Sequence, residues 1–134
     1  MKQSKQNNLF EDADIVSIYT RAQAIEDGVL IDVSEIAREA GIKFPVATTC
    51  QLWADVIEPD ETSKTIGQDV NGRLWDVLMV LRIAIRSTVN TDMIHFNPLF
   101  VFNGKKPRAK QLKAVCNPGD NLEPVITIML PNED

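Results

Sequence analysis

The hydrophobic period of this chain changes once along its length, from three or four residues to two, and that change constrains the fold more than any other feature. Up to Ser87 the apolar positions recur at helical spacing: Ile15, Ile18, Tyr19, Ala22 and Ile25 form one set, and Leu74, Val77, Leu78, Leu81, Ala84 and Ile85 another. Each set gives a helix one apolar face to bury. Toward the C-terminus the apolar residues alternate instead: Ile94, Phe96, Phe100 and Phe102 share one parity, Leu112, Ala114 and Cys116 alternate with Gln111, Lys113 and Val115, and Pro124 to Leu130 reads "PVITIML". That is the period of strands, with Pro98 marking an edge or bulge. Helices followed by strands predict an α+β fold. It has N-terminal helices with a short strand, a central helix and a C-terminal antiparallel three-stranded meander, the helices packed on one face of the sheet.

The joints are written in capping residues. The first helix is expected to begin near Asp12 or Asp14, whose carboxylates cap free N–H groups, and to stop at Asp27-Gly28, where glycine accepts the left-handed conformation. Val29 to Val33 then reads as a short strand, Ser34 as the N-cap of a second helix "EIAREA", and Gly41 as its terminator. "IKFPVA" reads as extended because Pro45 disfavours helix at Phe44, and Thr48 or Thr49 caps a third helix running through Leu52, Trp53 and Val56 to Pro59. A polar loop from Glu58 ends in an Asn71-Gly72 turn, and Arg73 to Ser87 forms the central helix, around which Trp75, Met79, Val80 and Ile83 extend the apolar surface. "NPGDNLE" turns the chain between the last two strands. At 134 residues the expectation is one α+β domain over 12–134 behind a flexible tail, 1–11.

Composition removes several function classes. With 44% hydrophobic and 25% charged residues the chain lies in the globular range, and its net charge of -5 argues against a broadly polyanion-binding surface while permitting a local basic patch. Cys50 and Cys116 have no C-x-x-C spacing and read as buried thiols of a reducing cytoplasm. The start "MKQSKQNNLF" lacks the apolar stretch of a signal peptide, and the run from Leu74 to Ile85 is interrupted by Asp76 and Arg82, so a cytoplasmic protein without a membrane segment is expected. His95 is the single histidine, which rules out a multi-histidine metal site and gives no basis for a serine triad. The glycine-rich phosphate loops, H-E-x-x-H and G-x-S-x-G are all missing, so no metal, no cofactor and no identifiable catalytic residue are expected.

Four groups of polar residues invite a functional reading, each beside a plainer one. Tyr19, Arg21, Asp27 and Asp32 surround the Gly28 joint and, with Arg73, Trp75 and Asp76, suit a small enzyme acting on a nucleotide-like or anionic ligand; the plainer reading is a corner held by ion pairs. Lys105, Lys106, Arg108 and Lys110, followed by Lys113, can grip phosphates, or can simply solvate a hairpin tip and protect an edge strand. Asp55, Glu58, Asp60, Glu61 and Asp69 around Lys64 read as an acidic loop rather than a polyanion mimic. Arg82 and Arg86, one helical turn apart, repel modestly, so they are expected to share a carboxylate from Asp76, Asp27 or Asp32, or else an anionic ligand.

Three blocks, "YTRAQAIEDGVLIDVSEIAREAGIKFPVA", "NGRLWDVLMVLRIAIR" and "LKAVCNPGDNLEPVITIMLPNED", resemble an uncharacterised bacterial family of small proteins carrying a domain of unknown function, found on plasmids, integrative elements and similar mobile DNA. The resemblance spans nearly the whole chain and brings no established reaction. It implies a context: partners among mobile-element proteins or the host's DNA machinery. The resulting expectation is a non-catalytic accessory protein that binds another macromolecule. A small enzyme and a nucleic-acid binder using the basic hairpin loop are the alternatives.

Overall fold

The structure, a computed structural model, describes residues 19–61, 69–88, 90–101 and 106–134. The expected tail, the helix start at Asp12 or Asp14, Ile15, Ile18, Lys64, Phe102 and Lys105 lie outside the described residues.

The first described helix, α1 (Arg21–Glu26), opens with a reciprocal cap: Gln23 N donates to Thr20 Oγ1 at 3.1 Å and Thr20 N donates to Gln23 Oε1 at 3.0 Å. Tyr19 therefore stands before the cap of this helix, and it is 55% exposed rather than part of an apolar face. Gly28 ends α1 at φ 80°, with Gly28 N donating to Ile25 O and Val29 N to Ala24 O, the paired bonds of a left-handed helix stop. After β1 (Leu30–Asp32) and α2 (Ser34–Glu39) the device repeats at Gly41, φ 97°, with Gly41 N bonded to Arg38 O and Ile42 N to Ala37 O. The N-cap of α2 is Val33 rather than Ser34. The Ser34 hydroxyl donates to Asp32 Oδ1 at 2.6 Å and accepts from Val46 N at 3.0 Å, so it ties the start of α2 to the neighbouring strand.

That strand, β2 (Val46–Thr49), runs directly into α3 (Cys50–Leu52), capped by Thr49 Oγ1, and then into a π-helical turn over Trp53–Ile57 closed by Glu58 N to Trp53 O at 2.9 Å. The long helix α4 (Val70–Arg86) begins three residues before Arg73, its expected start. Asp69 Oδ1 accepts from Gly72 N at 2.6 Å, so Asn71-Gly72 is the first turn of a capped helix and not a reverse turn.

The expected meander is present as β3 (Met93–Phe96), β6 (Leu112–Pro118) and β7 (Pro124–Met129), all antiparallel. It is only part of a larger, mixed sheet of five strands in the order β1-β2-β7-β6-β3. β2 lies parallel to β7, and β1 pairs antiparallel with β2. The strand expected from Ile94 to Phe102 breaks at Pro98, which has no N–H to donate; its second half becomes β4 (Leu99–Phe100), paired with β5 (Arg108–Ala109) in a separate ribbon.

One face of the sheet, carrying Val46, Ile126, Ile128, Leu112, Ala114 and Phe96, packs in a single core with Leu52, Val56 and Ile57 and with Leu74, Val77, Leu78 and Leu81 of α4. On the other face the Arg21 guanidinium lies on β7, and Glu133 Oε2 accepts from Thr49 Oγ1 at 2.7 Å and Leu130 N at 2.8 Å. Neither cysteine is a buried thiol: Cys50 is exposed at the start of α3 and Cys116 is half-buried in β6.

Candidate functional site

The residues gathered by sequence around Gly28 are hydrogen-bonded into the fold. Tyr19 Oη donates to Asp27 Oδ2 at 2.6 Å, spanning α1 from before its cap to its end, and this bond raises the phenol's pKa. Arg21 reaches away from that pair: its guanidinium donates to Thr127 Oγ1 and to Ile126 O, each at 2.8 Å. Burial pushes the Arg21 pKa down, opposed by the carboxylates of Asp32, Asp120 and Glu123. Asp32 is the largest of these opposing charges, yet its Oδ1 accepts from Ser34 N at 3.1 Å and from the Ser34 hydroxyl. Asp120, which sequence reasoning passed over, caps α1 by accepting from Arg21 N at 2.9 Å and Ala22 N at 3.0 Å. Its only sequence signal was its place in the "NPGDNLE" turn.

The second half of the set does come together. Arg73, Trp75 and Asp76 of α4 line one side of an open cleft of about 700 Å³, with Glu35, Ile36 and Glu39 of α2 on the other and Asp69 at its end. Within it Arg73 is a clamp. It is 2% exposed, donates to Val56 O at 2.7 Å and to Val101 O, and lies 5.8 Å from the centre of the Phe100 ring. These contacts tie α4 to the π-helical turn and to the β4 ribbon. Burial lowers its pKa, with Asp60 acting the other way. Asp76 is partly desolvated, which raises its carboxyl pKa. Among the described residues no three His, Cys, Asp or Glu side chains are grouped as a metal ion would need, so the carboxylates of this cleft are read as a charged rim.

The apolar residues beside that rim form a stripe that sequence reasoning did not single out. Trp75, Met79 and Ile83, assigned to the core surround, follow one another on α4 at four-residue steps, about 6 Å apart along the axis. Trp75 is 38% and Ile83 63% exposed, while Met79 is half-buried against the core. The signal was available: the core stripe of α4 already fills one face, and these residues fall on another.

Elsewhere, Lys106, Arg108 and Lys110 are exposed around β5, and Lys110 N donates to Pro98 O at 3.0 Å. Among the described residues neither Arg82 nor Arg86 pairs with Asp76, Asp27 or Asp32; Asp27 accepts instead from Tyr19 and Asp32 from Ser34. They line a second cleft at the far end of α4. No helix among the described residues is long and apolar enough to cross a membrane.

The family model that matches is a family of unknown function, DUF6573, over residues 6–134. No curated protein and no solved structure matches the chain.

Proposed function

The chain belongs to this family of unknown function, and we propose that it is a non-catalytic accessory module that docks a segment of a partner protein on the exposed face of α4. The observation that carries the reading is the stripe of Trp75, Met79 and Ile83, with Ile83 largely and Trp75 partly exposed. Tryptophan and methionine supply contact area at little cost in ordering, and large apolar residues aligned on one helix face serve an interface better than they serve solubility. The rim decides the partner's chemistry. Glu35, Glu39, Asp69 and Asp76 flank the Trp75 end, so the fitting occupant is an amphipathic segment whose apolar residues are accompanied by Lys or Arg.

Two further considerations support binding over catalysis. The polar groups an enzyme reading would use, Arg21, Asp27, Asp32 and Arg73, are engaged by Thr127, Tyr19, Ser34 and Val56. On the resemblance to a bacterial family of plasmids and mobile elements, we read the partner as a mobile-element protein or part of the host DNA machinery, the location as cytoplasmic, and residues 12–134 as one domain. A nucleic-acid reading rests on a separate observation: Lys106, Arg108 and Lys110 are exposed together around one ribbon.

Affinity capture from the native host separates these readings when three baits are compared. Wild type is expected to retain a protein that Ile83→Glu loses, at unchanged melting temperature, and that Lys106→Glu with Arg108→Glu still retains. Retention of salt-sensitive nucleic acid, abolished by the ribbon changes and indifferent to Ile83→Glu, would transfer the function to the ribbon.

A further inference from the structure

The second cleft differs in chemistry from the first. It measures about 370 Å³, at the small end of the roughly 300–1,000 Å³ typical of small-molecule sites. Its polar rim is cationic: Lys43 from the segment after α2, and Arg82 and Arg86 from the last turns of α4, with no Asp or Glu among the lining residues. Its floor is apolar, with the buried Ile42 and Ile126 at the bottom and Phe44, Ile85 and Ile94 beside them. The geometry points to a binding site for a small organic anion, a carboxylate or phosphate head on an apolar body.

Three features carry this assignment. The side chains of Lys43, Arg82 and Arg86 make no hydrogen bond or ion pair among the described residues, so three charges share one rim without compensation. The C-terminal dipole of α4 accounts for one or two cations at this end, but not for leaving like charges one turn apart unrelieved beside a third. The backbone also makes room for one of them. A Cβ on Gly41 would lie 2.7 Å from Arg82 Nε, so the absence of a side chain there lets Arg82 lie across the stop of α2. Finally, guanidinium groups offer forked donors that suit the paired oxygens of a carboxylate or phosphate, while the floor below them suits only an apolar body. Neither half of the cleft is explained by a ligand lacking the other.

Calorimetric titration of the full chain tests the assignment with decanoate as probe, against inorganic phosphate as a head without a body and decanol as a body without a head. Decanoate is expected to bind, to weaken as salt rises, and to bind about tenfold or more weakly to Arg86→Gln. Arg86 is exposed, so its removal leaves the fold intact; Arg82→Gln provides the second variant and a matched melting temperature the control. Both head and body controls are expected to bind at least about tenfold more weakly than decanoate. No decanoate binding, binding indifferent to both arginine changes, or equal binding of either control would overturn the assignment. So would preferential retention on anionic vesicles over free decanoate, which would make the arginines a membrane-surface contact.

Discussion

Gly28 and Gly41 show how much one residue can mean beyond its conformation. Both have positive φ, 80° and 97°, and both end a helix with the same pair of backbone bonds. The space around them differs: a Cβ at Gly28 would meet nothing within 4 Å, whereas at Gly41 it would meet Arg82. Asparagine tolerates the left-handed region, so Gly28→Asn is expected to cost less than about 1 kcal/mol in urea unfolding, while Gly28→Val costs more because its β-branch clashes with its own backbone. Gly41→Asn is expected to cost more than Gly28→Asn, and the excess should vanish in an Arg82→Ala background, since it arises from that side chain. Equal midpoints for the two asparagine variants would show that Arg82 moves aside freely. The same reasoning finds the residue where turn chemistry misleads. "NPGDNLE" offers Gly119 and Asn121 for a left-handed position, yet Leu122 occupies it, at φ 66° and 83% exposed. The bond from Leu122 N to Gly119 O closes the turn with Leu122, three residues after the glycine, in the left-handed position. Leu122→Asn is therefore expected to stabilise by up to about 1 kcal/mol, read as a raised urea midpoint, because it relieves a strained backbone and buries nothing less.

At the scale of elements, helix α4 was the most legible in sequence and also the most misread. Its core stripe is correct, and Leu74, Val77, Leu78 and Leu81 are all buried. Its start was hidden because Asn-Gly is a strong turn signal, and only the Asp69 cap, which bonds Gly72 N, converts it into helix. Of the residues that extend its apolar surface, Met79 and Val80 pack against the core while Trp75 and Ile83 are exposed, because hydrophobicity alone does not say which face of a helix is covered. Leu78→Ala should thus lose roughly 2–5 kcal/mol to a cavity, and Trp75→Ala distinctly less, which denaturant midpoints can compare. Asp76 adds a pH dependence with a definite sign. Partial desolvation raises its folded pKa above the ordinary 3.8, so the folded state favours the protonated carboxyl. Its contribution to stability is present below the unfolded value and is lost as pH rises through the folded one. Asp76→Asn is expected to melt higher than wild type at pH 7 and to lose that advantage near pH 3. A variant that melts lower at pH 7 would mean that the carboxylate is held by a favourable charge, and the desolvation account of this site would be wrong.

For the whole molecule, the strands of the meander were legible because each exposes one face and alternates. β2 was legible only as the extended end of "IKFPVA" and not as a strand of the sheet, because Val46, Ala47 and Thr48 are all fully buried and a strand covered on both faces shows no alternation. Sequence period also carries no information about long-range pairing. The parallel register of β2 with β7 sets Val46 opposite Ile126, and Asp120 caps α1 across 98 and 99 residues of chain. These contacts place the C-terminal strand β7 in the middle of the sheet, between β2 and β6, so α2, α3, α4 and the meander share one core. The expected consequence is a single cooperative unfolding transition. The two tryptophans, Trp53 and Trp75, both precede the meander, so their fluorescence reports the N-terminal half while far-UV circular dichroism reports the whole. Ile128 is fully buried on β7, and Ile128→Ala is expected to lower both signals' midpoints together, by the equivalent of roughly 2–5 kcal/mol. If the fluorescence transition stayed at its wild-type position while circular dichroism shifted, β3, β6 and β7 would be unfolding apart from the helices. The β2–β7 pairing would then be a contact between two units rather than the seam of one.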